Sequence, residues 1–343
     1  MRKGVSILTI AALALSLASP AFAQNGVKMS LTGAGATFPY PIYSKWFDEY
    51  HKMKSNVEIN YQSIGSGGGI RQVTSGTVDF GATDGPMTDG QLAQSKVQIL
   101  HIPTVLGAVV PIYNIPGVSG ELNFSRDALA GIYLGTVKKW NDPAIAKHNP
   151  NVKLPGENIV VVRRSDGSGT TYIWTDFLSK VSDQWKNGVG NGTSVNWPVG
   201  IGGKGNEGVS GLVKQTPNSI GYVELIYALQ NSLSYGRVQN AANVFVKADL
   251  AATTAAAASA SKSMPADFRV SITNAPGKTT YPIVSFTWLL VPTTIQDSGK
   301  KTVIKEFLKW MATDGQSYAS QLGYAPLPKE VAAQVLKAID KVK

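Results

Sequence analysis

Three glycine-rich segments stand directly before stretches of helical periodicity, and each carries hydroxyl groups. They are Gly33-Ala34-Gly35-Ala36-Thr37-Phe38-Pro39, Gly65-Ser66-Gly67-Gly68-Gly69 and Asp166-Gly167-Ser168-Gly169-Thr170-Thr171. The first turn of a helix leaves its amide N–H groups without intrahelical partners and carries the positive end of the dipole, which makes it a ready anion site. Ordinary Ser or Thr capping accounts for any one such junction. Three in one chain are harder to account for by capping alone. The third is the most informative, because the apolar run Ile159 to Val162 ends at Arg163-Arg164 just before it. A strand, a guanidinium fork, a glycine loop and a helix start together form a cradle for an oxyanion. Arg supplies bidentate donors, and Asp166 stands close enough in sequence to hold the guanidinium in place. The competing reading is a solvated arginine pair at a strand end.

Other patterns carry less. Gly200-Ile201-Gly202-Gly203-Lys204-Gly205 fits the dinucleotide G-x-G-x-x-G with Glu224 at a suitable distance, but it follows Trp197-Pro198 rather than a clear strand. No segment matches the Walker pattern, and neither Ser66 nor Ser168 lies in G-x-S-x-G. His51, His101 and His148 are dispersed without metal-ligand spacing. No catalytic set, metal site or cofactor is expected.

The elements that position these residues follow from length and periodicity. The chain has 343 residues, enough for about two domains, and its 43% hydrophobic content argues against disorder. Short strands (Val57 to Tyr61, Ile159 to Val162) alternate with amphipathic helices. Ile42, Trp46, Phe47, Tyr50 and Met53 share one helical face, as do Ile173, Phe177, Leu178 and Val181. The expected class is α/β with a mostly parallel sheet. A weak internal repeat relates Gly69–Asp84 to Gly208–Glu224, each a glycine-rich entry, a helix and a strand ending at an acid. Trp46, Trp174 and Trp310 fall within helices, where packing is the expected role. The Ala-rich stretch Ala251–Ser263 reads as a surface helix or linker without function.

The N-terminus reads as a secretory leader. Arg2 and Lys3 precede an apolar run from Val5 to Leu17, and Ala21-Phe22-Ala23 is a small-x-small cleavage site. Residues 1–23 are expected to be removed before Gln24. Lys and Arg total 32 against 22 Asp and Glu, a net charge of +10; loss of Arg2 and Lys3 leaves +8. That excess favours anions in general. The basic residues are too thinly spread for nucleic acid, with runs no longer than pairs such as Lys138-Lys139. The absence of cysteine excludes disulfides, thiolate metal sites and a lipid-modified cysteine. A Gram-negative periplasm is the expected compartment, without a lipid anchor.

At these residues the chain resembles the periplasmic phosphate-binding proteins, the substrate receptors of bacterial phosphate ABC importers. The likeness is carried by Thr32–Pro39, Val78–Asp84, Val162–Thr170 and Asn196–Gly200, in that order, and extends from about residue 29 to the C-terminus. It implies a two-lobe periplasmic binding protein fold (type II) with a two-strand hinge and a ligand cleft between the lobes. Residues 24–107 with 281–343 would form one lobe, and 108–280 the other. It further implies that phosphate is held by the Thr37 hydroxyl and amide, the Phe38 amide and Ser66, with Arg164, Ser168, the Gly169 amide and Thr170 from the opposite lobe. Asp84 would accept a hydrogen bond from the ligand's own proton, and Asp166 would orient Arg164. Gly67, where the family often has a second Ser, and Ser165, where it has a small apolar residue, depart from the pattern. The implied partners are inorganic phosphate and a membrane permease, and the implied state is a monomer.

The residue chemistry agrees with this assignment. A buried oxyanion needs each oxygen satisfied, so neutral amides and hydroxyls should outnumber charges. A carboxylate facing an anion is intelligible only if the ligand carries a proton, which phosphate does at neutral pH and sulfate does not. Two alternatives stay open on sequence alone. One is a secreted phosphomonoesterase using Ser168 or Ser66 as nucleophile, which lacks an evident base or metal. The other is a receptor of the same fold for sulfate, molybdate or arsenate.

Overall fold

The computed structural model describes residues 28–261 and 264–343. The expected leader and its cleavage point lie outside the described residues. Strand and helix alternate through β1 (Met29–Gly35), α1 (Tyr40–Met53), β2 (Val57–Ser63), α2 (Ser66–Ser75), β3 (Phe80–Thr83), α3 (Asp89–Ala93) and the long β4 (Ile99–Asn114). Next come β5 (Asn123–Phe124), α4 (Arg126–Leu134), α5 (Pro143–Ala146), β6 (Val160–Arg164) and α6 (Gly169–Val181). They are followed by α7 (Asp183–Gly188), β7 (Ile201–Gly203), α8 (Gly205–Gln215), β8 (Ser219–Glu224) and α9 (Leu225–Gln230). The chain closes with β9 (Ser234–Tyr235), β10 (Arg237–Gln239), β11 (Phe245–Val246), α10 (Leu250–Ser261), β12 (Val284–Pro292), α11 (Ser298–Ala312) and α12 (Lys329–Ile339).

The fold is α/β, built on one curled sheet in the order β2-β1-β3-β12-β4-β8-β6-β7, with β9 added to β4. Its two ends are parallel: β1 pairs with β2 and β3, and β6 with β7 and β8. Its centre is antiparallel, because β12 pairs with β3 and β4, and β4 with β8. The mostly parallel sheet expected from the sequence is therefore a mixed one. Continuous apolar runs mark a strand as buried on both faces but leave its direction undetermined.

β4 ties the two ends together. Ile99–Ala108 pairs with β12, whereas Val109–Asn114 pairs with β8. The chain returns alongside this point: Val109 N donates to Ile283 O at 2.8 Å, and the Tyr281 hydroxyl donates to Val109 O at 2.9 Å. These two passages are the covalent links between a half built on β1–β3 and a half built on β6–β8. The sequence repeat is realised as α2–β3 followed by Asp84, and α8–β8 ending in Glu224, with both acids buried.

Most of the expected core is in place. Ile42, Trp46, Phe47 and Tyr50 are buried on α1, and Ile173, Trp174, Phe177 and Leu178 on α6. Met53 departs from its predicted face and is 55% exposed, since it is the last residue of α1 and extends past the packed turns. The Ala-rich stretch differs more. Ala252, Thr253, Ala256 and Ala257 on α10 are buried against β4 and β12, and Ala252 O accepts from Tyr281 N at 3.2 Å. It is a packed element beside the chain crossing rather than a surface helix or linker. Alanine serves there because its small side chain allows close approach to the sheet.

Candidate functional site

β6 delivers two arginines with opposite fates, as strand alternation requires. Arg163 lies partly exposed, while the Arg164 side chain is 1% exposed and meets Asp166 at two points: Nε to Oδ1 at 2.7 Å and Nη2 to Oδ2 at 2.5 Å. Burial pushes the Asp166 carboxyl upward, but the Arg164 guanidinium and the Gly205 amide outweigh it and hold the group below its ordinary value. The chain then turns into α6. Ser168 caps that helix, its Oγ accepting from Thr171 N at 3.0 Å. Gly169 and Thr170 occupy the first turn, and Arg164 Nη1 donates to Thr170 Oγ1 at 3.4 Å.

The opposite wall comes from the other half of the sheet. Thr37 and Phe38 fill the short link between β1 and α1, with their carbonyls held by Tyr227 (2.5 Å) and Tyr324 (2.7 Å) hydroxyls. Ser66 opens α2, and Asp84 follows β3 directly. Asp84 N donates to Ser66 Oγ at 3.2 Å, Ser66 Oγ to Asp84 Oδ2 at 3.5 Å, and Thr287 Oγ1 on β12 to Asp84 Oδ1 at 2.7 Å. Burial pushes the Asp84 carboxyl up to about 7, against the opposing pull of Thr287, Arg164 and Ser66.

The two walls are in contact. Gly67 N donates to Gly167 O at 2.9 Å. A Cβ on Gly169 would collide with Ser66 Oγ and Asp84 Oδ2, and one on Gly65 (φ +86°) with Asp166 Oδ2. Hence Thr37, Phe38, Ser66, Asp84, Arg164, Ser168, Gly169 and Thr170 all gather in one buried cluster, with Asp166 behind Arg164. Among the described residues, no protein acceptor takes the amide N–H of Thr37, Phe38, Ser66, Gly169 or Thr170. The cluster therefore holds five uncommitted N–H groups and one guanidinium together with the buried Asp84 carboxyl. Such a set fits a small oxyanion that carries a proton of its own.

Some members of the cluster were not visible in the sequence. Thr287 reaches Asp84 through the register of β12 against β3, which sets Trp288 opposite Thr83. Asn206 bridges the walls, its Nδ2 donating to Thr37 Oγ1 at 2.7 Å and to Thr170 Oγ1 at 3.1 Å. Its signal was the helix start after Gly200–Gly205. That segment does contain a strand, β7, but the first amides of α8 are committed to the protein. Gly205 N donates to Asp166 Oδ1 at 3.0 Å and Asn206 N to Thr37 Oγ1 at 3.2 Å. The three histidines stand apart from the cluster. His101 Nε2 accepts from Met87 N, His51 Nδ1 bonds Val57 O, and His148 packs on Phe245.

Comparison with known proteins places this geometry in a family. A family model for the PBP superfamily domain matches residues 20–315. The chain is 45% identical to the phosphate-binding protein PstS of Pasteurella multocida, over 96% of this chain and 95% of the relative. Solved structures share the fold at low identity. A phosphate binding protein from Stenotrophomonas maltophilia superposes with a TM-score of 0.67 at 17% identity, covering 90% of this chain and 93% of the other. An ABC-type phosphate transport receptor from Vibrio cholerae gives a TM-score of 0.55 at 16% identity, covering 87% of this chain and all of the other. No helix among the described residues is long and apolar enough to cross a membrane. By sequence over nearly its whole length, and with the fold in agreement, the chain belongs to the PstS phosphate-binding protein family within the PBP superfamily.

Proposed function

We propose that this protein binds inorganic phosphate between two closing lobes, discriminates against sulfate, and hands the ion to the permease of an ABC importer. The lobes are residues 24–107 with 281–343, and residues 108–280. The hinge is the pair of passages at β4 and Tyr281–Val284. The ligand set is Thr37, Phe38, Ser66, Asp84, Arg164, Ser168, Gly169 and Thr170.

The observation that carries this reading is the buried Asp84 carboxyl in a site otherwise made of donors. Amides, hydroxyls and Arg164 satisfy the unprotonated oxygens of a phosphate, while Asp84 accepts from its P–OH. Sulfate has no proton to offer at neutral pH and meets either an unpaired carboxylate or the cost of protonating it. Sites built to pair with a ligand hydroxyl reject the analogue that lacks it by as much as ~10⁴-fold. Arg164 supplies the one full positive charge, and its pairing with Asp166 fixes the donor geometry. Binding rather than catalysis is further supported by the positions of the three histidines, all engaged away from the cluster.

Titration calorimetry at pH 8 tests the reading. Saturable phosphate binding with negligible sulfate binding is expected; equal affinities would contradict it. Export to the periplasm, with the leader removed before Gln24, accompanies this function. Intact-mass measurement of the exported protein should show a chain starting there, and a retained leader would count against it.

A further inference from the structure

Resting on the phosphate reading above, the geometry points to Asn206 as the residue that makes the ligand hydroxyls of Thr37 and Thr170 obligate donors, and for Thr37 it does so only when the lobes are closed. A hydroxyl offers one O–H donor and two acceptor lone pairs. Thr37 Oγ1 already accepts twice, from Asn206 N at 3.2 Å and Asn206 Nδ2 at 2.7 Å. Thr170 Oγ1 also accepts twice, from Arg164 Nη1 at 3.4 Å and Asn206 Nδ2 at 3.1 Å. With both lone pairs engaged, each hydroxyl has only its proton left to offer.

The orientation of the Asn206 amide is itself fixed. Oδ1 accepts from Glu224 N at 3.0 Å, and a backbone N–H can only face the oxygen. The two hydrogens of Nδ2 are thereby directed one to each threonine. The side chain is fully buried, so water does not compete for these bonds.

The arrangement also depends on closure. Thr37 belongs to the β1 half, whereas Thr170, Asn206 and Glu224 belong to the β6–β8 half. Separating the halves removes Asn206 from Thr37, and that hydroxyl regains freedom to accept as well as donate. Closing converts an ambivalent hydroxyl into a donor suited to an anion. Asn206 is thus a positioning residue, acting through two groups that touch the ligand.

A mutant cycle read by phosphate calorimetry at pH 8 tests this. Asn206→Leu, close in size but without donors, should weaken phosphate about tenfold. In a Thr37→Val, Thr170→Val background the same change should cost less than about threefold, because the hydroxyls it governs are gone. Combined with Ser168→Ala, whose hydroxyl shares no bond with Asn206, the losses should multiply. Wild-type affinity in Asn206→Leu, or an equal loss in both threonine backgrounds, would overturn the inference. Asn206→Asp provides a second variant that keeps the acceptor for Glu224 N and the side-chain volume. It places an acceptor where the donor stood, so it should lose more affinity than Asn206→Leu; an equal or smaller loss would also overturn the inference. If the wild-type protein does not bind phosphate, the functional reading fails; if it binds and the cycle shows no coupling, only the role of Asn206 fails.

Discussion

Gly169 approaches Ser66 so closely that the Ser66 hydroxyl occupies the space a Cβ on Gly169 would need. The two residues lie on different halves of the sheet, at the first turns of α6 and α2. Their contact joins the two walls of the cluster. Gly169 is therefore required by close approach across the cleft, not by backbone conformation.

Gly169→Ala should impair closure while leaving each half folded. Overpacking of this kind costs about 1–3 kcal/mol, which corresponds to a loss of roughly 5- to 150-fold in phosphate affinity. The thermal midpoint of the phosphate-free protein should change little in comparison. Calorimetry paired with thermal unfolding checks both expectations, and undiminished affinity would refute the proposed closure.

Asp166→Asn removes the fixed partner of a buried guanidinium. Breaking a buried pair typically costs about 3–5 kcal/mol when the remaining charge is left uncompensated. Phosphate would replace the missing negative charge beside Arg164. The phosphate-free variant should thus lose much more stability than the loaded one, and the rise in melting temperature on adding phosphate should exceed that of wild type. A smaller or equal rise would show that Asp166 is not the counter-charge of Arg164 in the empty site.

The raised Asp84 carboxyl predicts an asymmetric pH dependence. Sulfate can find a donor at Asp84 only when that carboxyl holds a proton, which in the ligand-free site happens below about pH 7. Its affinity should rise about tenfold per pH unit on going from pH 9 to pH 7, then level off. Phosphate brings its own proton, so its affinity should vary far less over the same interval. A sulfate affinity independent of pH, measured by calorimetry at each unit from pH 6 to pH 9, would contradict this role.

How much of the site could be read from the sequence depended on how local its signals are. Thr37, Ser66, Arg164, Ser168 and Gly169 sit in glycine-rich turns before helices, where chemistry and position coincide within a few residues. Asp166 stands two residues from the arginine it holds, whereas the role of Asp84 entered only through the family resemblance. Asn206 and Thr287 are neutral polar residues without a motif, and only long-range pairing places them at the cluster. The antiparallel centre of the sheet was hidden for the same reason, since β12 inserts between β3 and β4 from the far end of the chain. In α10 the helix propensity was legible, but a run of small residues has too little contrast between faces to reveal which one is buried.

Asp84 also links function to stability. Its carboxyl is raised in the folded protein, so the folded state retains a proton that the unfolded chain releases above its ordinary value of 3.8. The sign follows directly: the contribution of Asp84 becomes destabilising as pH rises from about 4 to about 7, and the full penalty persists above that range. Asp84→Asn should then melt higher than wild type at pH 8 without phosphate. Thermal unfolding of the two proteins across pH 4–8 checks this, and parallel profiles would exclude it.

The most direct measurement is the ratio of phosphate to sulfate affinity in Asp84→Asn and wild type, at pH 8 by calorimetry. Asn can donate as well as accept at this position, so sulfate loses its disadvantage while phosphate loses its charged acceptor. The ratio should fall from its wild-type value toward unity. A ratio unchanged by the substitution would show that selectivity does not reside in this carboxyl.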